Sequence, residues 1–197
     1  MLFTRPLRYE RKEDAEKARA GLEGESRCTV LAVEKKENME EPPLPHDLTG
    51  LQQEANTRLG MAAGQTLAVV QRLYERGYVS YPRTGCRHIP EDIFEQAPTL
   101  VASHKGHPRF GRHAERLLEK GLNPHAVDGN SVTEHHALLI TGEVPEGLSP
   151  DEQNIYSLIA GRMLEAFSEG CVREVVRVRA DYGGMEFEAE TSCVKYP

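Results

Sequence analysis

Apolar positions recur at two different periods along this chain, and the change of period divides it. Near the amino terminus, Ala15, Ala18, Ala20 and Leu22 sit among charges in RKEDAEKARAGL, a spacing that predicts a short amphipathic helix closed by Gly24. CTVLAVEKK, residues 28–36, is rich in β-branched and apolar residues and predicts a strand, with ENMEEPPLPHD after it as an exposed connector. Thr49 stands three residues before Gln52, a capping-box spacing that predicts a helix ended by Gly60. Leu67, Val70, Leu73 and Tyr74 predict the core stripe of a second helix that stops at Gly77. Pro90 opens a third over PEDIFEQAPTLVASH, with Ile93, Ala97, Leu100 and Val101 on one side and Pro98 as the residue that would interrupt it. Ser149 and Glu152 repeat the capping spacing before Ile155, Leu158, Ile159, Met163, Ala166 and Phe167, and Gly170 ends that helix. The period then drops to two. Val176, Val178, Ala180 and Tyr182 alternate with Arg177, Arg179 and Asp181, and beyond Gly183-Gly184 the residues Met185, Phe187 and Ala189 alternate with glutamates. This predicts a hairpin whose arginines face glutamates across the wet side.

Strand signals at both ends and helices between them define an α+β chain. The expected organisation is a small β-containing domain, residues 1–44 and 146–197, into which a mainly helical, winged-helix-like domain, residues 45–145, is inserted. Composition narrows the function. Lys and Arg number 24 against 31 Asp and Glu, and a net charge of -7 excludes coating of nucleic acid by bulk positive charge, so any phosphate site is local. The strongest local positive run lies between His104 and His125, where Lys105, Arg109, Arg112, Arg116 and Lys120 face only Glu115 and Glu119. Four dispersed cysteines without a CxxC pair suggest neither a zinc site nor a disulfide framework, and no metal ligands are expected in this chain. The absence of a long apolar run and of a signal-peptide core leads us to expect an intracellular, cytoplasmic protein with no membrane partner.

The chemistry concentrates in YVSYPRTGCRHIP, residues 78–90. Pro82 biases its neighbourhood toward extended backbone, and residues two apart on an extended arm point the same way, so the Tyr81 hydroxyl and the Arg83 guanidinium share a side. A phenol beside a bidentate anion clamp suits attack on a phosphate. An ordinary phenol is ionised in only about one molecule in a thousand at neutral pH, so Arg83, Arg87 or a metal-bound site is expected to stabilise the phenolate or the phosphate charge that develops as it attacks. Tyr78, on the opposite phase, is the candidate for a packing role, Gly85 for a turn and Cys86 for a small filler. TEHHALL, residues 133–139, places two adjacent histidines before an apolar run, a weak signal alone.

Taken in order, these segments resemble the type IA DNA topoisomerases, most nearly the topoisomerase III branch. LTGLQQEANTRLGMAAGQTLAVVQRLYERGYVSYPRTGCRHIP resembles that family's active-site block, EHHALLIT its A-H-x-A-I-x-P-T segment, and LSPDEQNIYSLIAGRMLEAF the helix that follows. The resemblance implies that Tyr81 attacks a phosphodiester of single-stranded DNA to leave a 5′-phosphotyrosine and a free 3′-hydroxyl. It implies that Arg83 holds the scissile phosphate and that His135, rather than His136, contacts the phosphate near the break. Gln52, Arg58, Thr84 and Arg87 in the resembling block, with Lys105, Arg109 and Arg112 in the basic run, are the expected DNA contacts. Single-stranded or negatively supercoiled DNA is the expected partner, ATP is not required, and nucleoid association follows. Gly85, Glu134 and Ile140 depart from the family's usual Asp, Ala and Pro. The family's acidic, Mg2+-binding amino-terminal domain has no counterpart in these residues. The expectation is therefore a central fragment, inactive alone, whose magnesium ligands and remaining domains lie elsewhere in a parent enzyme. The alternative is a non-catalytic module in which Tyr81 stacks on a base of single-stranded nucleic acid. Tyrosine recombinases and relaxases fit poorly, because the histidines are adjacent and lie downstream of the tyrosine.

Overall fold

A computed structural model gives the architecture, and it describes residue 4, residues 9–24 and residues 27–196. The chain forms two compact units, one from residues 1–40 with 170–197 and one from residues 41–169. The arrangement is α+β, helices with a small antiparallel sheet. The first crossing lies close to the expected boundary. The second does not: residues 146–169 belong to the helical unit, because the helix they contain packs against the other helices there.

The sheet unit contains three antiparallel strands in the order β1-β2-β3, with β1 at Cys28–Glu40, β2 at Cys171–Tyr182 and β3 at Met185–Tyr196. β1 is longer than its apolar signal, since the charged stretch Glu34–Glu40 continues the ladder opposite β2, ending at the pair Glu40 and Cys171. The hairpin turn falls at Gly183 and Gly184, whose φ values of 63° and 75° lie in the left-handed region that glycine enters without a Cβ penalty. Arg177 pairs with Glu190 and Arg179 with Glu186, both at 2.9 Å, on the exposed side. The helix α1, Lys12–Ala20, ends at Gly21 rather than Gly24 and buries no residue.

The helical unit holds α2 (Leu48–Leu59), α3 (Ala63–Glu75), α4 (Glu91–Ala102), α5 (Gly111–Lys120) and α6 (Pro150–Ala166). α6 is central. Ile155, Tyr156, Ile159 and Met163 are buried there, against Leu51 and Ala55 of α2, Val70 and Leu73 of α3, and Ala114 and Leu117 of α5. α4 runs through Pro98 without interruption and buries Ala97 and Val101. α2 is capped by Asp47, whose side chain accepts from the Gly50 amide at 2.6 Å, not by Thr49, which lies inside the first turn. Gly60 closes α2 with φ 68°. An extended segment, residues 137–140, is buried throughout and bridges two others, with Leu138 opposite His46 and Ile140 opposite Val79.

The cap of α6 matches its sequence signal. Ser149 Oγ accepts from the Glu152 amide while the Glu152 carboxylate accepts from the Ser149 amide at 2.9 Å. These Ser149 bonds, helped by Arg72 at 3.3 Å, hold the Glu152 carboxyl below the usual carboxylate range. Ser149→Ala should lower stability by about 1 kcal/mol, read as a reduced urea midpoint at unchanged slope.

Candidate active site

The arm that leaves α3 is extended and irregular, anchored by the Val79–Ile140 and Ile89–Val127 bridges. Burial alternates along it: Pro82 and Thr84 are buried, Tyr81 is half-buried, and Arg83, Gly85 and Arg87 are exposed. Alternation of this kind puts Tyr81 and Arg83 on the outward side of one strand-like run. Ser80 fixes the arm immediately before the tyrosine. Its amide donates to the Leu139 carbonyl at 2.9 Å, and its hydroxyl donates to the Ala137 carbonyl at 3.2 Å and accepts from the Leu139 amide at 3.0 Å.

Tyr81 is held by its ring. His135 lies against one side with ring centroids 4.3 Å apart, and Tyr74 meets it edge-on at 5.5 Å. Tyr74 was expected in the core stripe of α3. The residue is 39% exposed, and the buried stripe is instead Thr66, Val69, Val70 and Leu73. Its place beside Tyr81 carried no periodic signal, because the arm returns past the end of α3 only in three dimensions. Tyr78 packs as expected: it is partly buried against the core, with Arg76 over its ring at 4.9 Å.

Beside the arm lies a pocket of about 170 Å³ lined by Arg83, Thr84, Cys86, Thr133, Glu134 and His135. Thr84 joins its two walls, since its hydroxyl donates to the His135 carbonyl at 3.1 Å and accepts from the Cys86 amide at 3.0 Å. Thr84 is only 5% exposed and its hydroxyl is committed to backbone, so it is a brace for the pocket before it is a contact. His136 turns to its own chain, with Nδ1 2.7 Å from the Ala137 carbonyl. Cys86 is half-buried and its sulfur accepts from the His88 amide at 3.3 Å. Gly85 sits at the centre of the turn that the Cys86 amide closes onto the Thr84 hydroxyl, but it does not adopt a left-handed φ and a Cβ there meets nothing within 4 Å, so this turn does not require glycine. Gly85→Ala should therefore raise stability by about 0.4–1 kcal/mol through the unfolded chain, read in the denaturation midpoint.

The expected DNA contacts divide. Arg83 and His135 meet at the pocket. Gln52 does not reach it, since its amide nitrogen donates to the Ala63 carbonyl at 3.1 Å and ties α2 to α3. Arg87 donates to the carbonyls of Pro45 and Leu44 at 3.1 and 3.2 Å, and it meets Arg58 at a separate pocket near the start of α2. Arg109, exposed and stacked over Phe110 at 5.4 Å, lines a neighbouring hollow, while Lys105 and Arg112 are exposed on the basic run. His104, at the head of that run, is buried with Nε2 3.2 Å from the Tyr156 hydroxyl, and burial drives its pKa down and the phenol's up. Among the described residues no three His, Cys, Asp or Glu side chains gather as a metal site would need. Glu134, the carboxylate at the pocket, stands beside Arg83 and His135, a donor set unsuited to magnesium.

His46 gave no sequence signal and is 2% exposed. Burial first, then the charges of Arg162, Arg87 and Arg58, lower its pKa to about 3. Its Nε2 lies 3.0 Å from Glu54 Oε2, yet the geometry makes no hydrogen bond, and the arginines outweigh that carboxylate and keep the ring neutral. The unfolded chain binds this proton near pH 6.5 and the folded one near pH 3, so the contribution to stability is complete above pH 6.5 and is lost as pH falls toward 3. The expected slope is up to about 1.4 kcal/mol per pH unit in that window, and His46→Phe should flatten it in urea melts.

A family model described as DNA topoisomerase matches residues 4–197. DNA topoisomerase 1 of Methanothermobacter thermautotrophicus is 37% identical over 164 residues, which cover 82% of this chain and 22% of that protein. DNA topoisomerase 3 of Bacillus subtilis is 35% identical over 160 residues, 78% of this chain and 22% of that protein. The chain thus spans less than a quarter of the length of these relatives. Full-length topoisomerase I of Thermotoga maritima superposes with a TM-score of 0.68 at 19% identity, covering 98% of this chain and 32% of that one, a likeness of fold. With its family match running across both units, this chain belongs to the type IA DNA topoisomerases.

Proposed function

We propose that this chain supplies the nucleophile and the phosphate clamp for transient cleavage of single-stranded DNA. The observation that carries the reading is Tyr81, half-exposed with its ring tilted against His135 beside a pocket that also presents Arg83. The Tyr81 oxygen gives up its phenolic proton and attacks phosphorus, an O–P bond forms, the P–O3′ bond breaks, and the 3′-oxygen takes up a proton, so the step is proton-neutral overall. Arg83 neutralises charge on the phosphoryl oxygens, and the His135 ring limits the rotation of the phenol it covers. Religation is the reverse step. The ester conserves the energy of the broken bond, so strand passage and relaxation of negatively supercoiled DNA proceed without ATP. The α2–α3 pair with the arm after it would act as the winged-helix-like grip on the strand.

The magnesium used by such an enzyme is expected on carboxylates outside this chain, and the remaining domains of a longer parent enzyme are its partners, with the nucleoid as the place of action. No helix among the described residues is long and apolar enough to cross a membrane. The parent should relax a negatively supercoiled plasmid with magnesium and no ATP, whereas the isolated 197-residue chain should not. Dependence on ATP, or robust relaxation by the isolated chain, would contradict this division of labour.

Glu134 adds a negative charge where the strand is expected to pass. Glu134→Gln should tighten binding of a single-stranded oligonucleotide by up to about fivefold at low salt, measured by fluorescence anisotropy.

A further inference from the structure

We propose that a second pocket on the helical unit, formed by His46, Arg58, Arg87 and Arg162, holds a backbone phosphate of the DNA strand engaged at Tyr81. The inference rests on the strand-cleavage reading above and extends it to a site removed from the break. The pocket measures about 360 Å³, and its walls also include Gly50 and Glu54.

Three guanidinium groups face one carboxylate, so the walls carry a net positive charge. Glu54 is ion-paired with Arg58 at 2.9 Å and accepts from Arg162 at 2.6 Å, which orients both cations without cancelling Arg87. Asp47, adjacent in the chain, has its carboxylate engaged with the Gly50 amide at 2.6 Å. The first turn of the twelve-residue α2 adds the positive end of a helix dipole.

His46 is the independent observation. Its ring is 2% exposed and lines the pocket; Nδ1 makes no hydrogen bond among the described residues, and Nε2, though 3.0 Å from Glu54 Oε2, is not aligned for one. Buried polar groups in folded proteins are almost always partnered, because an unpartnered one keeps its full desolvation cost. A neutral imidazole among arginines offers one N–H donor. The partner that accepts from it and tolerates three guanidinium groups is an anion with several acceptor oxygens, such as a phosphate. A Cβ at Gly50 would lie 2.9 Å from Asp47 Oδ1 and 3.4 Å from His46 Nδ1, so glycine leaves room for both side chains.

Continuity favours a strand over a lone anion. A neighbouring hollow of about 270 Å³ shares Glu54, Arg58 and Arg162 with this pocket and continues to Arg109 and His113. Successive positive groups suit successive phosphates. Arg87 lies six residues beyond Tyr81 on the same arm, at most about 20 Å along an extended chain, so one strand can reach both.

The test uses the 197-residue chain and a fluorescein-labelled single-stranded oligothymidylate, followed by anisotropy across a salt series. Arg58→Gln, at a side chain 54% exposed and so safe for the fold, should weaken binding about 5- to 20-fold and reduce the log–log salt slope by about 0.7. His46→Phe should weaken binding with the slope unchanged, because the residue it removes is neutral. Affinity and slope unchanged in Arg58→Gln overturn the proposal. Should Arg83→Gln alone weaken binding, the Tyr81 site stands and this pocket falls; should the pocket variants alone do so, the pocket stands and the reading of Arg83 falls. Inorganic phosphate, titrated against the His46 ring resonances, separates the sources. A shift of these resonances by phosphate but not by the oligonucleotide would assign a free-anion site and overturn the strand contact.

Discussion

Tyr81→Phe in the parent enzyme is expected to abolish cleavage and relaxation, a loss of at least about 10³-fold, while oligonucleotide affinity and thermal stability stay at wild-type levels. The change removes one oxygen and keeps the ring, so the tilted contact with His135 at 4.3 Å and the edge-on contact with Tyr74 at 5.5 Å persist. That pattern separates a nucleophile from a base-stacking residue. A stacking platform keeps its affinity and has no cleavage to lose, so residual strand breakage by the Phe variant would count against the mechanism. Gel electrophoresis of plasmid topoisomers and anisotropy on one protein preparation give both readouts.

Arg83→Ala is expected to lower the cleavage rate by about 10²–10³-fold, through loss of a preorganised cation at the developing phosphoryl charge. The side chain is exposed at the pocket mouth, so folding stability should change by less than about 0.5 kcal/mol. Arg83→Lys should recover only part of the rate, because an ammonium cannot reproduce a planar two-donor clamp. Equal rates for the Lys variant and the wild type would reduce the role of Arg83 to charge alone. Single-turnover cleavage of a labelled oligonucleotide distinguishes these outcomes, since it isolates the chemical step from strand passage.

Local chemistry made much of this molecule readable from its sequence. Ser149 with Glu152 marks the start of α6, and Gly183-Gly184 marks the hairpin, because in each case the residues that define the feature are neighbours. Where two residues offered the same local chemistry, the reading slipped. Asp47 and Thr49 both suit a cap, and Asp47 takes it because its carboxylate reaches the Gly50 amide. The assignment of α6 to the sheet domain failed for a different reason: its apolar face is visible in sequence, but the helices it packs against are not. The last four residues of β1, Glu37–Glu40, read as a connector until the facing strand β2 is in place to pair with them.

The site follows the same rule. The outward phase of Tyr81 and Arg83 is a property of one extended arm. His135 reaches it only because residues 137–140 thread through the core and Thr84 bridges 51 residues of sequence to the His135 carbonyl. Family resemblance, rather than periodicity, pointed to that histidine. Tyr74 and His46 were invisible for complementary reasons. The first looks like one more apolar position at helical spacing, and the second is a lone histidine after a proline whose arginine neighbours come from three separate elements.

The most direct test is covalent trapping. The parent enzyme is incubated with a labelled single-stranded oligonucleotide and magnesium, denatured and digested, and the modified peptide is sequenced by mass spectrometry. The expected result is a single adduct, the DNA 5′-phosphate esterified to Tyr81. An adduct on another residue, attachment through a 3′-phosphate, or strand cleavage without any protein–DNA ester would contradict the account.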